Sequence, residues 1–377
     1  MSAPTTTIAL YIDSDVVGGA ERSALHVLAG YAGSAQLVLC ATSATVLAEA
    51  ARAAPRVRQV LVPCGGSFVA AVVAHRRVFR LLRLDLLQVT LANPFAARAA
   101  VIAAYSLGLP TITVEQLVLP SRRRRGRWLK RSLSAPLAAQ VVVGDASARD
   151  LQRFYGIPPR SVRTIHNGIP DEPVEAVVLD RRPVVGCAAR LEDQKQLDVL
   201  IEAMVELPDA RLVLVGDGSR RGDLEALAAG VGVDDRTTFV GWVDDGRPWI
   251  AAFDVFALPS RDEAFPLTIV EAMLSGVAVV ASDVGSVSEA VRDGETGLLV
   301  RSGDRVALVA AIRRILDDPA LRDQLIGAAG RLARQRFTAA IMARSYDALW
   351  NEVLARPPLW RRLSGRGGRS PGRRSHP

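Results

Sequence analysis

Cysteine and histidine are scarce in this 377-residue chain, which contains three cysteines and four histidines. Cys40, Cys64 and Cys187 have no paired spacing, which is typical of structural thiols in a reducing cytoplasm. No histidine is spaced with a cysteine, a second histidine or a carboxylate in the way that metal ligands usually are, so a structural zinc site is not expected. We predict a protein that uses no metal and no cofactor.

Long hydrophobic runs and a targeting segment are also missing. The opening residues, MSAPTTTIALYIDSD, have no basic start and do not resemble a signal peptide. The longest poorly charged stretch, residues 23–47, is interrupted by glycines and hydroxyl residues, which argues against a membrane span. Hydrophobic residues make up 49% and charged residues 23% of the chain. We therefore expect a soluble cytoplasmic protein that is long enough for two domains.

The formal net charge of +8 is concentrated in two places. The last residues, RRLSGRGGRSPGRRSHP, lack apolar periodicity, and we expect a disordered tail from Pro357. The run SRRRRGRWLKR, residues 121–131, has Trp128 and Leu129 among its arginines, which suits a surface that contacts anionic lipid headgroups. A solvated basic loop is the alternative. Nucleic acid is not expected as a partner, because no recognition module accompanies the charge.

Apolar segments of strand length alternate with helical segments in two series. The first contains TIALYID, AQLVLC, RVRQVLV, DLLQVTL, PTITVE and QVVVG; the second contains VVGCAAR, ARLVLVG, TTFVGW, VFALPS, VAVVASD and GLLV. These runs are continuous rather than alternating, which predicts parallel strands that are covered on both faces. Repeated β-helix-β units require right-handed crossovers. We predict an α/β fold of two doubly wound, Rossmann-like domains that face a cleft, with ligands at the carboxyl ends of the strands.

The pattern breaks at NGIPDEPVEAVVLDRRP, which is rich in prolines and acids. We place the N-terminal domain at residues 1–170, a linker at 171–182 and the C-terminal domain at 183–337. A helical segment at about 338–356 and the basic tail at 357–377 follow.

Two glycine turns follow predicted strands. Gly18 and Gly19 in VVGGAERS precede a helix, so the free amides there suit a phosphate or a sugar hydroxyl, with a plain tight turn as the alternative. GDGSRRG, residues 216–222, resembles a dinucleotide fingerprint with one inserted residue, but it follows the second strand of its domain. We expect a turn that lines the cleft rather than a nicotinamide site.

Asp13 and Asp15 have the spacing of a manganese-binding Asp-x-Asp motif, but they directly follow the first strand and are expected to be loop acids.

Two cations stand in AARLEDQKQLDVLIEA. Arg190 ends a strand, and Lys195 lies in the following loop or in the first helical turn. A cation at a helix N-terminus is locally unfavourable unless an anion binds beside it. A diphosphate would fit, with the arginine as a fork and the lysine as a point charge. Two exposed cations are the alternative.

Two glutamates, Glu263 and Glu271, enclose seven residues in EAFPLTIVE. Glu263 lies in the loop after the strand VFALPS, and Glu271 lies in an early turn of a helix that starts near Pro266. Carboxylates accept hydrogen bonds from vicinal diols, which suits sugar or ribose hydroxyls. The alternatives are capping acids, worth about 0.3–1 kcal/mol each, or a glycosidase acid–base pair. The nearby cations Arg190 and Lys195 favour an anionic leaving group that needs no protonation, and so disfavour a glycosidase.

Together these segments resemble glycosyltransferase family 4, retaining enzymes with the GT-B fold. The most specific part is the Glu-x7-Glu signature EAFPLTIVE, followed by AMLSGVAVVASDVGSVSEAVRDGETGLLV. The GGAE element, HNGI at residues 166–169, AARL with Lys195, and GDG with FVGW resemble further elements of the family. The resemblance extends nearly from end to end of the chain.

The resemblance implies transfer of a sugar from a UDP- or GDP-sugar, with retention and without a metal, to a lipid-linked, polysaccharide or small-molecule acceptor held on the N-terminal side. It implies that Arg190 and Lys195 neutralise the departing diphosphate and that Glu263 contacts the transferred sugar. Glu271 would hold the ribose. The long terminal helix would return to the N-terminal domain. The implied donor-binding set is Gly18, Gly19, Gly216, Gly218, Val240, Phe265, Pro266, Leu267, Thr268 and Glu271.

The chain departs from the family pattern at five positions. Gln116 stands where a histidine near the sugar is common, and Asp145, which we expect to cap a helix, stands where a serine is usual. The other departures replace common glycines, namely Gln196, Ala264 and Ser286. Because none of them removes the charged set, we expect activity.

Two further classes share this architecture. A sugar-nucleotide epimerase would lack the combination of Arg190, Lys195 and the paired glutamates. A non-catalytic sugar-nucleotide or membrane-surface binding protein is the alternative that Gln116 favours. The basic run predicts a peripheral location on the inner face of the plasma membrane.

Overall fold

The computed structural model describes residues 6–93, 95–121, 124–179 and 183–356. The expected tail at 357–377, the arginines at 122–123 of the basic run and the end of the linker at 180–182 lie outside the described residues. Within the described ranges, every helix is too short or too polar to serve as a membrane span.

The first half of the described chain forms a seven-stranded parallel sheet in the order β3-β2-β1-β4-β5-β6-β7. Its strands are β1 (Thr7–Ile12), β2 (Gln36–Ala41), β3 (Arg58–Leu61), β4 (Leu86–Leu91), β5 (Thr111–Glu115), β6 (Ala139–Val142) and β7 (Val162–Thr164). The connecting helices are α1 (Gly19–Gly30), α2 (Ala44–Ala53), α3 (Phe68–Leu82), α4 (Arg98–Ser106), α5 (Arg124–Ser134) and α6 (Asp145–Tyr155). The inner strands are almost wholly buried, as their continuous apolar sequences predict.

The second half of the described chain forms a six-stranded parallel sheet in the order β10-β9-β8-β11-β12-β13. Its strands are β8 (Val184–Ala188), β9 (Arg211–Val215), β10 (Thr237–Gly241), β11 (Val255–Leu258), β12 (Ala278–Ser282) and β13 (Leu298–Val300). Its helices are α7 (Leu197–Ala203), α8 (Arg221–Gly230), α9 (Arg247–Ile250), α10 (Leu267–Leu274), α11 (Val287–Ala290), α12 (Arg305–Asp317) and α13 (Pro319–Arg336). A 3-10 turn, Asp193–Lys195, precedes α7.

The strand order reverses at the same point in both sheets. β1 lies between β2 and β4, and β8 lies between β9 and β11. A doubly wound sheet opens a crevice at the carboxyl ends of the strands where its order reverses. The predicted α/β fold of two doubly wound, Rossmann-like domains is confirmed. One strand, β7, is absent from the predicted series of apolar strands, because its sequence Val-Arg-Thr is half-buried and contains no apolar run. It directly precedes HNGI, which resembles the end of a strand in the family.

The chain crosses between the two sheets twice, and the two crossings run side by side. The amide of Ile169 donates to Phe337 O at 3.1 Å, and the amide of Ala339 donates to Ile169 O at 2.7 Å. After the second crossing, α14 (Ala339–Leu354) packs against α1. Its buried Trp350 donates from Nε1 to Gln88 Oε1 on β4 at 2.8 Å. The C-terminal helix therefore returns to the N-terminal sheet, as the resemblance implied.

Candidate functional site

Lys195 and Glu263 meet at the reversal point of the second sheet. The loop after β8 carries Lys195, and the loop after β11 carries Glu263. Lys195 Nζ lies 2.5 Å from Glu263 Oε1, and the two side chains are 14% and 7% exposed. Ser260 Oγ donates to the same carboxylate oxygen at 2.7 Å. Two of the predicted catalytic residues thus form a largely buried ion pair at the carboxyl end of the strands.

Arg190, the third predicted catalytic residue, is exposed. Its guanidinium forms no side-chain hydrogen bond or ion pair that joins it to another described residue. Glu192, two residues on, has a pKa below its usual range because the hydroxyl and amide of Ser219 donate to it, and the charge of Arg190 acts in the same direction. The guanidinium therefore stands at the same strand end as Lys195 with its donors available.

The glycines of the GDG turn are required by close packing. Gly216 has a φ of +128°, and a Cβ there would lie 2.0 Å from Ala189 O. A Cβ at Gly218 would lie 2.4 Å from Leu191 O. The turn thus packs directly against the backbone on either side of Arg190, so its glycines support the loop that carries the cation.

Val240 lies at the carboxyl end of β10, beside this turn. The pairing register of β10 with β9 shifts between Phe239 and Gly241, which leaves Val240 in an irregular position. The Gly216 amide donates to Gly241 O at 2.9 Å and closes this edge of the sheet. Gly216, Gly218 and Val240 of the implied donor-binding set therefore lie together, while their role stays a prediction.

Two helix N-termini converge on the crevice. α1 begins at Gly19 after Gly18, whose amide donates to Glu21 Oε2 at 2.9 Å. α10 begins at Leu267 after Pro266, which provides no side-chain cap. The nearest atom to a Cβ built on Gly19 is Leu267 Cδ1, at 4.0 Å. Because unpaired amides and the positive ends of two helices meet there, the arrangement suits an anion.

The loop between Glu263 and α10 is held from the N-terminal domain. The buried ring of Phe265 packs against the rings of His166 and Phe337, with centroids 5.0 and 5.1 Å away. Asn167 Nδ2 donates to Phe265 O at 3.3 Å and to Gln116 Oε1 at 3.2 Å. Gln116, which replaces the histidine common in the family, is thus linked to this loop through its hydrogen bond with Asn167. The half-buried Thr268 follows in the first turn of α10.

Glu271 occupies a different environment from Glu263. It is buried on α10, and it forms no side-chain hydrogen bond with any other residue that the structure describes. Burial raises the pKa of Glu271 to about 7, although the charges of Arg22 and Arg247 oppose this shift. The carboxyl group therefore titrates near neutral pH.

A cavity of about 430 Å³ adjoins Glu271 and is lined in part by Arg247 and by residues 169–174, where the chain enters the linker. Arg247 pairs with Asp245 at 2.8 Å, but its buried Nη1 has no hydrogen-bond partner within the described part of the chain. Arg247 and Glu271 thus place a guanidinium group and a carboxyl group on the wall of one cavity, a combination that suits a polar ligand with hydroxyl groups.

Asp145 does not cap its helix, and that expectation is wrong. The N-cap of α6 is Gly144, which provides no side-chain cap, and Asp145 is the first helical residue. The Asp145 carboxylate accepts from Thr164 Oγ1 at 2.6 Å. The amide of Asp145 donates instead to Glu289 Oε1, on the opposite domain, at 2.8 Å.

Glu289 is a functional candidate that the sequence did not reveal, and Ser286 was noted only as a departure from a common glycine. Ser-x-x-Glu spacing is a capping signature that marks the start of a helix. Here the pair does stand at the start of α11, but its side chains contact the N-terminus of α6. The spacing could have drawn attention to these residues, although it could not have identified the helix that they cap.

Gln196 shows why glycine is common at its position. It has a φ of +47°, in the left-handed region that favours glycine. Its Oε1 accepts from Ser302 Oγ at 2.6 Å, which helps to hold the residue beside Lys195.

Asp13, one of the loop acids, accepts from Thr42 Oγ1 at 3.2 Å and from the Ala97 amide at 3.1 Å.

The chain is similar over most of its length to known proteins. Two protein-family models match it: "Glycosyltransferase Family 4" over residues 17–173 and "Glycosyl transferases group 1" over residues 182–318. The lipopolysaccharide core biosynthesis glycosyltransferase LpsE of Rhizobium meliloti (strain 1021) is 41% identical over 143 residues, which cover 38% of this chain and 42% of that protein. The lipopolysaccharide core biosynthesis mannosyltransferase LpcC of Rhizobium leguminosarum bv. viciae is 35% identical over 246 residues, which cover 60% of this chain and 67% of that protein.

Solved structures share the fold. The structure of Anabaena Alr3699/HepE in complex with UDP-glucose superposes with a TM-score of 0.82 at 21% identity, and covers 92% of this chain and 99% of that one. Two facing doubly wound domains with a returning C-terminal helix define the GT-B class. Within that class, the chain belongs to glycosyltransferase family 4.

Proposed function

We propose that this protein transfers a hexose from a nucleoside diphosphate sugar to an acceptor hydroxyl, with retention at the anomeric carbon. The observation that carries the proposal is the Lys195–Glu263 ion pair at the reversal point of the second sheet, beside the N-termini of α1 and α10. This combination supplies a positive charge suited to a departing diphosphate and a carboxylate suited to the hydroxyls of a sugar, and so supports the proposal. The family membership supports the same chemistry.

The leaving group is stabilised by positive groups that are in place before the reaction. Lys195, Arg190 and the amides of Leu267 and Thr268 act on the diphosphate as its bond to the sugar breaks. Such preorganised donors act where charge develops, so no proton has to be delivered to the leaving group. The acceptor loses its proton to a phosphate oxygen of the departing diphosphate, on the same face of the sugar.

Glu263 binds the sugar rather than transferring a proton. Lys195 and Ser260 both contact its Oε1, whereas no donor among the described residues contacts Oε2. Oε2 is therefore available to accept hydrogen bonds from the hydroxyls of the transferred sugar.

The nucleoside occupies the space beside Glu271. The carboxyl group of Glu271 accepts from the ribose hydroxyls, and Arg247 lines the same cavity. The base extends toward Val240 and the GDG turn. HepE contains UDP-glucose, so uridine is the first base to test.

Nucleoside diphosphate release from a panel of UDP- and GDP-hexoses tests this proposal. We expect slow release from at least one donor without acceptor, and weaker donor binding by Glu271→Gln, which keeps the shape of the side chain but removes its charge. Binding of a donor without turnover in the presence of membrane extracts would favour the non-catalytic alternative. Absence of both binding and release for every donor would contradict the proposal.

We further propose that the acceptor is lipid-linked and is met at an anionic membrane surface, on the inner face of the plasma membrane. The outer face of α5 carries Trp128, which is 71% exposed, and exposed arginines at 124, 125, 127 and 131. Lys130 is not on this face, because it is buried in an ion pair with Glu115 of β5. The helix that carries the exposed arginines is thus held against the N-terminal sheet by a buried ion pair.

A second helix of the N-terminal domain, α3, also exposes apolar and basic side chains. The N-terminal half of α3 exposes Phe68, Val69 and Val73, and its other half exposes Arg76, Arg77 and Arg80. α3 contains no acidic residue. α3 packs beside α4, and Arg98 at the start of α4 lies over the Phe68 ring, 5.8 Å from its centroid. Apolar side chains next to unopposed arginines match the chemistry of anionic headgroups above acyl chains.

Changing Arg124, Arg125 and Arg127 together to serine is expected to weaken binding to phosphatidylglycerol vesicles by about 100-fold, since each arginine contributes about 1 kcal/mol. Sedimentation with vesicles measures this effect, and phosphatidylcholine vesicles should bind neither protein. A charge-matched control changes the exposed Arg301, Arg314 and Arg331 of the C-terminal domain to serine. Equal binding by the two triple variants would contradict the membrane proposal.

A further inference from the structure

Glu289 joins the two domains across the crevice. Its Oε1 accepts from the amides of Asp145 and Ala146 at 2.8 and 3.4 Å, both at the start of α6. Its Oε2 lies 2.7 Å from Nε2 of His166, which also belongs to the N-terminal half. Ser286 Oγ accepts from the Ala146 amide at 3.3 Å. One carboxylate and one hydroxyl of the C-terminal domain therefore satisfy the N-terminus of a helix in the other domain.

The sequence of α6 is suited to a cap from outside. Its N-cap, Gly144, has no side chain to supply one, and a helix N-terminus favours negative charge. A Cβ at Gly144 would lie 2.1 Å from Ser286 Oγ, so glycine allows the two domains to approach. Burial disfavours the Glu289 carboxylate, but bonds from His166, Ser286 and the Asp145 amide hold its pKa below the usual range.

The segment that carries Glu289 also contacts the loop that carries Glu263. The Ser286 amide donates to Ala264 O at 3.1 Å. Gly285 lies so close to this loop that a Cβ there would be 1.6 Å from Glu263 O. A movement of residues 285–289 would therefore reach the backbone of Glu263 directly.

The N-terminal domain holds the other end of the same loop. The ring of His166, the partner of Glu289, packs on Phe265, and the adjacent Asn167 donates to Phe265 O. Glu263 thus lies in a loop that residues 285–286 of its own domain contact on one side and that His166 and Asn167 of the N-terminal domain contact on the other. Only the contacts of His166 and Asn167 depend on closure of the domains.

We propose that Glu289 is a positioning residue that couples closure of the domains to the placement of Glu263, and through it of Lys195. With the domains closed, Glu289 caps α6 and the Glu263 loop is held for reaction. When the domains open, the Glu289 cap on α6 and the contacts of His166 and Asn167 with the loop are released together. The closure part of this proposal stands on the contacts alone, whereas its effect on turnover rests on the proposed function.

Gly144→Ala is the first test, because it blocks the cap from the N-terminal side without altering Glu289. Gly144 has a φ of −166°, which any residue adopts, so the added methyl acts through its overlap with Ser286. We expect wider separation of the domains and a fall in kcat of roughly 10- to 100-fold, with the donor KM changed much less. Glu289→Ala should act in the same direction.

Ser286→Gly tests whether Gly144→Ala acts through its overlap with Ser286. A defect confined to α6 would not be rescued by this second substitution. Ser286→Gly removes both Ser286 atoms that approach closest to the new methyl, which lie 2.1 and 2.3 Å away. The double variant Gly144→Ala with Ser286→Gly should therefore regain most of the closure and turnover that Gly144→Ala loses. Glu295→Gln, at an exposed carboxylate of the same domain, serves as the control.

Pulsed dipolar spectroscopy measures closure without any activity. One spin label is placed on the exposed native Cys64 and the other on Ala229→Cys at the surface of α8. If Gly144→Ala and Glu289→Ala gave the same distance distribution as the reference protein, the proposal that Glu289 stabilises the closed domains would be wrong. Longer distances with unchanged kcat would overturn the positioning role. If only the proposed function were wrong, the reference protein would show no turnover, but the distances would still change in the two variants.

Discussion

Lys195→Ala is expected to lower kcat for nucleoside diphosphate release by about 10²- to 10³-fold, the range found when one preorganised electrostatic group is removed from an active site. Lys195 is the charged group that links the Glu263 carboxylate to the place where the diphosphate would leave. Its loss removes positive charge from the leaving group and leaves Glu263 without its ion-pair partner. Initial rates at saturating donor measure the effect.

The chain offers a matched control because it contains one other lysine, Lys130, which is also paired with a carboxylate. Its side chain is 4% exposed and that of its partner Glu115 is fully buried. Lys130→Ala breaks a buried pair and should cost about 3–5 kcal/mol of folding free energy. It should leave kcat of the folded fraction nearly unchanged, since Lys130 pairs with Glu115 and forms no hydrogen bond with Lys195 or Glu263. Equal loss of kcat in the two variants, or none in Lys195→Ala, would contradict the assigned role.

Most of the fold could be predicted because each element is encoded by its own residues. Continuous apolar runs such as VVGCA of β8 require cover on both faces, and alternation with helices leaves a parallel sheet as the solution. β7 could not be predicted in this way, because a short half-buried edge strand has no such run. Its place is fixed by pairing with β6, which is not visible in three residues of sequence.

The candidate site could be predicted only as a set of residues at strand ends. The loops after β8 and β11 were correctly expected to carry charge, and adjacent parallel strands bring those loops together. The direct pairing of Lys195 with Glu263, 68 positions apart, was not predicted, since both were assigned to separate ligand groups. Helix capping was misjudged at Asp145 for a similar reason. Local sequence identifies a helix start, but the acceptor for its amides, Glu289, lies 144 positions away in the other domain.

Gly285→Ala is expected to be the most damaging single methyl addition in the crevice. Gly285 has a φ of +56°, and the new Cβ would lie 1.6 Å from Glu263 O. No side chain can rotate to relieve an overlap between a Cβ and a backbone oxygen, so the Glu263 loop has to move. Displacement of a positioning group by about 1 Å can cost about 10²-fold in rate, and we expect a loss of this size together with a lower melting temperature. Steady-state kinetics and thermal unfolding measure the two effects.

Gly294→Ala separates the strain of the backbone from the displacement of the loop. Gly294 has a φ of +71°, similar to that of Gly285, but a Cβ added there would have no neighbouring atom within 4 Å. This substitution should cost only the left-handed strain of about 1–2 kcal/mol, and kcat should hardly change. The excess loss in Gly285→Ala then reports the movement of Glu263. Only displacement of the Glu263 carboxylate distinguishes the two substitutions. If both variants lost stability equally and neither lost turnover, the backbone contact of Gly285 with the Glu263 loop would therefore have no part in catalysis.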